Sequence, residues 1–163
     1  MTGTFLFDFN SNSDASAWRV VDDGVMGGLS QGQFAINEAG HGFFRGEISL
    51  DNNGGFSSVR HTFEPRDVSN FSGIFIRLKG DGKAYQFRVK EETGQRFSHI
   101  ADIKTNGEWE TIRIEFSEMY PAFRGRLLDL PNYTGKNMTE IAFLIGNKEV
   151  ETFALEIDFI ELR

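Results

Sequence analysis

Apolar side chains recur at every second residue through most of this chain, and that period confines it to strands. Tyr85, Phe87 and Val89 alternate with Gln86, Arg88 and Lys90, and Ile112, Ile114 and Phe116 alternate with Thr111, Arg113 and Glu115. Successive side chains of an extended backbone point to opposite faces, so each run offers one face to a core and one to the outside. Phe153, Leu155, Ile157 and Phe159 repeat the pattern, after which Ile160 and Leu162 change parity. That slip predicts a bulge or a stretch covered on both faces. Further strands are expected over Phe5–Phe9, Gln33–Ile36, Phe43–Leu50, Ser57–Phe63, Ile74–Lys79, Phe97–Lys104 and Ile141–Ile145. Strands repeating about every ten residues, with Gly, Asn and Asp between them, describe an all-β sandwich or barrel. No segment carries a 3.6-residue apolar stripe. Helix is therefore expected only as single turns near Ser13–Ala17, Ser117–Tyr120 and Asn137–Glu140, and Gly125–Lys136 reads as a surface loop.

With 163 residues, 39% of them hydrophobic and 17 of them Phe, the chain can bury one core, so residues 1–163 are read as a single domain. A net charge of -7 and the lack of any dense Lys/Arg run argue against nucleic acid as a partner. The absence of cysteine excludes disulfides, thiol nucleophiles and thiolate metal sites. The first residues lack the basic n-region of a secretory signal, and no stretch approaches the roughly twenty apolar residues of a bilayer span. A cytoplasmic protein with no membrane span is expected.

Two glycine-flanked polar loops, Asp22-Asp23-Gly24-Val25-Met26-Gly27-Gly28 and Asp51-Asn52-Asn53-Gly54-Gly55-Phe56, are the candidate site. Glycine exposes backbone N–H and C=O groups while Asp and Asn add side-chain acceptors and donors, which suits recognition better than catalysis. The same side chains also serve to satisfy orphan backbone groups in tight turns, and the residues leave both roles open for Asp22, Asp23, Asn52 and Asn53. Arg60, at the exit of the second loop, is expected to pair with Asp22, Asp23 or Asp51 if the loops converge. Arg124-Gly125-Arg126 presents two guanidinium groups to a carboxylate on a partner, or is a solvated turn. Trp109 reads as a core anchor, whereas Trp18, just ahead of the first loop, suits either a core or a ligand.

Enzyme motifs fail on context. Gly28-Leu29-Ser30-Gln31-Gly32 matches G-x-S-x-G, but Ser30 leads into a strand and not into the helix of a nucleophile elbow. Gly80-Asp81-Gly82-Lys83 lacks the Ser or Thr and the first glycine of a phosphate loop, and a hairpin turn accounts for it. His41, His61 and His99 have no ligand-like spacing, and the loop beginning at Asp51 has Thr62 where a calcium loop needs Glu. A calcium ion between Asp8 and Asp158, on first and last strands, is geometrically possible against the simpler reading of two solvated strand residues. No cofactor, metal or catalytic residue is assigned.

Trp18 through Gly28 with Ser30-Gln31-Gly32, then Asn52-Asn53-Gly54-Gly55-Phe56 with Arg60, Gly73, Gly80-Asp81-Gly82-Lys83 with Tyr85, Trp109, and Phe123-Arg124-Gly125-Arg126 together resemble the complex I intermediate-associated protein family. The resemblance spans nearly the whole chain, with the blocks in order, and is nearest to the free-standing bacterial type of domain. It implies a galactose-binding-like jelly-roll β-sandwich with a non-catalytic, chaperone-like role in assembling respiratory NADH:ubiquinone oxidoreductase. Trp18, Asp22, Asp23, Met26, Asn52, Asn53, Arg60, Asp81, Tyr85, Arg124 and Arg126 are then the expected partner-binding positions, with a protein as the partner. A carbohydrate held by the same loops is the alternative.

Overall fold

The computed structural model describes residues 4–23, 28–51 and 55–163, and within them thirteen strands form two antiparallel sheets. The strands are β1 (Thr4–Asp8), β2 (Arg19–Asp22), β3 (Gln31–Ile36), β4 (Gly42–Ile48), β5 (Ser57–Asp67), β6 (Gly73–Lys79) and β7 (Ala84–Lys90), followed by β8 (Ser98–Lys104), β9 (Trp109–Glu115), β10 (Tyr120–Phe123), β11 (Arg126–Leu127), β12 (Asn137–Ile145) and β13 (Glu151–Leu162). Six of them form one sheet in the order β3-β4-β13-β6-β9, with β1 continuing the β4 side of β13. The other seven run β11-β10-β8-β7-β12-β5-β2. The two layers make a jelly-roll β-sandwich.

The predicted alternation is what packs them. Tyr85, Phe87 and Val89 of β7 meet Val59 of β5 and Ile141, Phe143 and Ile145 of β12 on the inner face, opposite Ile74, Ile76 and Leu78 of β6 and Leu155 and Ile157 of β13. Phe44, Phe87 and Phe143 are wholly buried, each contributing about 1.5–3 kcal/mol by the apolar surface it removes from water. The parity change near the C-terminus is a register shift between Ile157 and Phe159 against β6, which throws Asp158 outward and returns Ile160 to the core.

Three strands escape the periodic reading. β2, β10 and β11 have four, four and two residues, too few for an alternation to declare itself. The turn expected at Asn137–Glu140 is instead the start of β12, a central strand buried on both faces whose polar first residues conceal it. The other two expected turns are 3-10 turns at Ala15–Ala17 and Phe116–Glu118. Among the described residues no helix is long and apolar enough to cross a membrane.

Candidate functional site

The flanks of the two polar loops meet, and they meet on Asp23. This carboxylate is 1% exposed. Its Oδ1 accepts from the Ser30 amide at 3.0 Å, and its Oδ2 accepts from Ser30 Oγ at 2.5 Å and from the amides of Gly55 at 2.6 Å and Phe56 at 3.2 Å. Burial alone would raise its pKa, but these donors together hold it below the ordinary carboxylate range. Neighbouring Asp22 accepts from Ser57 Oγ at 2.5 Å and from the Gly32 amide at 3.0 Å. Since β2 and β5 belong to one sheet and β3 to the other, the pair bolts the layers together at this end. The glycines permit the approach: a Cβ on Gly28 would lie 2.4 Å from the Asp23 carboxyl, and one on Gly32 would lie 2.1 Å from Ser57 Oγ. Both aspartates are therefore structural pins. Ser30, 4% exposed and spent between Asp23 and Ser49, has no part in nucleophilic chemistry. Met26, Asn52 and Asn53 lie outside the described residues.

Other expected positions scatter. Trp18 is buried among Phe7, Phe9, Phe34, His61 and Phe143, so its indole belongs to the core. Tyr85 is also a core residue; its hydroxyl donates to Asp81 Oδ1 at 2.9 Å while Asp81 Oδ2 accepts from the Ala154 amide, locking the β6–β7 turn onto β13. Burial, then the Asp81 charge, raises the Tyr85 pKa. Arg124 and Arg126 are exposed on the β10–β11 hairpin, where Arg124 and Gly125 take φ of 50° and 78° in a two-residue turn.

Trp109 is not a core anchor. It lies half-buried on the outer face of the six-stranded sheet, with Arg77 4.4 Å above its ring and His41 at its edge. There Arg77 donates to Asp158 at 2.8 Å and His41 Nδ1 lies 2.7 Å from Glu156. Asp158 is thus committed to a cation, and no group of three or more His, Cys, Asp or Glu among the described residues is arranged to hold a metal.

Arg60 is where the structure departs most from expectation. Asp22 and Asp23 are consumed elsewhere, and Arg60 points the other way, onto the outer face of the seven-stranded sheet, with Ser58 Oγ at 3.2 Å. The ladders set Arg19 opposite Arg60, Arg60 opposite Ala142, Ala142 opposite Arg88, Arg88 opposite Ile100, and Ile100 opposite Tyr120. One transverse row therefore crosses β2, β5, β12, β7, β8 and β10. Its neighbour contains Thr62, Glu140 and Lys90. Although this face looks away from the core, Ala142 is 4% exposed and Ile100 2%, because long side chains close over them.

Charge on this face is unbalanced. Glu140 draws Arg19 to 3.5 Å and Lys90 to 3.7 Å. Arg60 and Arg88, flanking Ala142, have no carboxylate within salt-bridge distance among the described residues; Arg88 donates only to Gln86 Oε1, at 3.0 and 2.7 Å. Burial first, and the Arg60 charge second, pull the Arg88 pKa down to about 10, so it stays charged at neutral pH. Beyond Arg88, Tyr120 donates to Asp102 at 2.9 Å and its pKa is pushed up to about 12, by burial first. An open groove of about 510 Å³, lined in part by Arg19, Thr62, Lys90 and Glu140, borders the row. Nothing local in sequence marks this cluster, since Gln86-Phe87-Arg88 and Ser58-Val59-Arg60 read as ordinary outward positions; only strand register brings them together.

Comparison with known proteins gives two results. A family model described as complex I intermediate-associated protein 30 matches residues 7–157. Proteins named probable complex I intermediate-associated protein 30, mitochondrial, from Caenorhabditis briggsae and Caenorhabditis elegans are 23% and 22% identical over 94% of this chain, which spans about half (52%) of their length. Among solved structures, a family 11 carbohydrate-binding module from Clostridium thermocellum in complex with a beta-1,3-1,4-mixed-linked tetrasaccharide superposes with a TM-score of 0.70 at 18% identity, covering 99% of this chain and 96% of that one. The family 11 module of the cellulosomal cellulase Lic26A-Cel5E from the same organism gives 0.71 at 16%, covering 98% and 94%. At such identities these two likenesses establish the fold alone.

Proposed function

Because the chain belongs to the complex I intermediate-associated protein 30 family, we propose that it is a non-catalytic, chaperone-like assembly factor that holds a protein partner, an intermediate of a respiratory complex of the NADH:ubiquinone oxidoreductase type, on the outer face of its seven-stranded sheet. The observation that carries this reading is the Arg60–Ala142–Arg88 row, where two sheltered cations flank a small floor without a carboxylate of their own. The flanks of the polar loops support a scaffolding part, because Asp22 and Asp23 already spend their acceptors on the fold.

Carbohydrate binding is the second reading, favoured by the fold of the family 11 modules. It is the weaker one here. Sugar rings are held by exposed aromatic planes, and the one aromatic in the row, Tyr120, stands at its end with its hydroxyl on Asp102. Deleting the gene in its own host tests the proposal. Assembly of NADH:ubiquinone oxidoreductase on native gels should stall at an intermediate and recover with the wild-type gene. Unchanged assembly, or a host without such a complex, would overturn it.

A further inference from the structure

The row on the seven-stranded sheet also specifies what it would hold. We propose that Arg60 and Arg88, with Arg19 beside them, form a carboxylate-binding cradle over Ala142 that takes an extended acidic peptide segment of the partner. The inference rests on the assembly reading for the presence of a protein partner, and on geometry for its chemistry.

Four observations carry it. Arg60 and Arg88 occupy strands on either side of β12, which sets their backbones about 10 Å apart, at about 4.8 Å per strand. Ala142 between them ends at its Cβ, and the long side chains that close over it carry the two guanidinium groups above the sheet, where a ligand group can meet both. The anions beside the row are already engaged: Glu140 sits in the adjoining row with Arg19 and Lys90, and Asp102 accepts from Tyr120. The imbalance is also local, for the chain as a whole carries -7. Like charges sheltered side by side repel, and a carboxylate arriving between them relieves that repulsion and meets the Nη groups that Gln86 and Ser58 leave free.

The length of the row chooses the ligand. From Arg19 to Arg88 it spans about 14 Å across four strands, far more than one phosphate or sulfate can touch. An extended peptide laid across the strands turns a side chain toward the sheet about every 6.8 Å, so two acidic residues two positions apart fall within the arginines. Asp102, beyond Arg88, and Glu64, farther along β5 from Arg60, put negative charge at the margins of the row and limit where an acidic segment can lie.

The test is an NMR titration of the full chain, following the methyl groups of Ala142 and Ile100. The probe is a short peptide alternating Glu and Thr; its Gln-Thr counterpart, inorganic phosphate and trigalacturonate are run beside it. The Glu peptide should saturate the shifts, bind roughly ten-fold or more tighter than the Gln peptide, and weaken as salt rises. Arg60→Gln and Arg88→Gln should each weaken it at least about five-fold with unchanged melting temperature, and Arg88→Lys should recover only part, since an ammonium lacks the fork. Equal binding of the Glu and Gln peptides, or folded Arg variants that bind like wild type, would overturn the cradle. Tighter saturation by phosphate or trigalacturonate would overturn the peptide assignment in favour of a small anion or an acidic sugar. The two proposals fail separately. If the gene deletion stalls assembly but the Arg60→Gln and Arg88→Gln genes restore it fully, the cradle is wrong and the assembly role stands. If deletion leaves assembly intact while the Glu peptide still binds, the reverse holds.

Discussion

Asp23 and Arg88 are both charges held away from water, and they are held in opposite ways. Asp23 receives four hydrogen bonds, from Ser30 twice, Gly55 and Phe56, and these outweigh the cost of its burial. Arg88 is given one neutral side chain and a second arginine nearby, with Asp102 attracting it only from beyond salt-bridge distance. A charge whose partners are complete contributes to the fold; one whose partners are missing sustains a cost that only something outside the chain removes. Unmet electrostatics, and not the density of polar residues, thus separates the place that binds from the place that merely looks polar.

The widest gap between the two regions should appear on removing each charge. Asp23→Ala strands three amides and a hydroxyl in the interior and should cost about 3–5 kcal/mol in urea denaturation, enough to unfold a marginal domain. Wild-type stability under that substitution would erase the distinction. Gly32→Ala, which drives a methyl into Ser57 Oγ beside Asp22, should cost about 1–3 kcal/mol in the same assay.

Acid sharpens the contrast. The folded pKa of Asp23 lies below its unfolded value, so its contribution is fully present above about pH 4 and is lost as pH falls through the depressed folded value. Urea midpoints measured from neutrality downward should show the wild type losing stability over that acid range, with a shallower decline in any folded Asp23→Asn variant. Identical slopes would mean that the donors around Asp23 do not favour its ionised form.

Arg88→Leu should move stability by no more than about 1 kcal/mol, and in the stabilising direction, while abolishing carboxylate binding. A large loss of melting temperature would show that Arg88 belongs to the scaffold as Asp23 does. Smallest of all, Arg124→Asn on the β10–β11 turn should change melting by under about 0.5 kcal/mol, because Asn tolerates the positive φ and only an exposed stacking of the guanidinium on Phe123 is lost.

How much of this was legible varies with how local each cause is. Tyr85–Lys90 declares itself a strand because one face is dry and the other is not. The first part of β12 does not, since Asn137, Thr139 and Glu140 are polar yet all but Asn137 are buried. The chemistry of Asp22 and Asp23 was readable to the extent that a pin or a recognition group was called for, but the choice depended on whether donors from Ser30 and Gly55 arrive. Trp109 was misread because an indole opening a strand suits either face, and β9 turns it outward toward Arg77. The arginine row could not be read at all: each member is an unremarkable outward residue on its own strand, and a one-residue slip of any strand would dissolve it.

Both margins of the seven-stranded sheet are stubs, the four residues of β2 and the two of β11, the latter closed by a hairpin bearing Arg124 and Arg126. These outermost strands give a visiting strand little to zip against, and where β5 runs on past the end of β2 from His61 to Asp67, Pro65 has no N–H to offer, which blunts growth of the sheet into fibrils or edge-paired dimers. With its rims blunted, such a sheet offers a neighbour its flat side in preference to its edges.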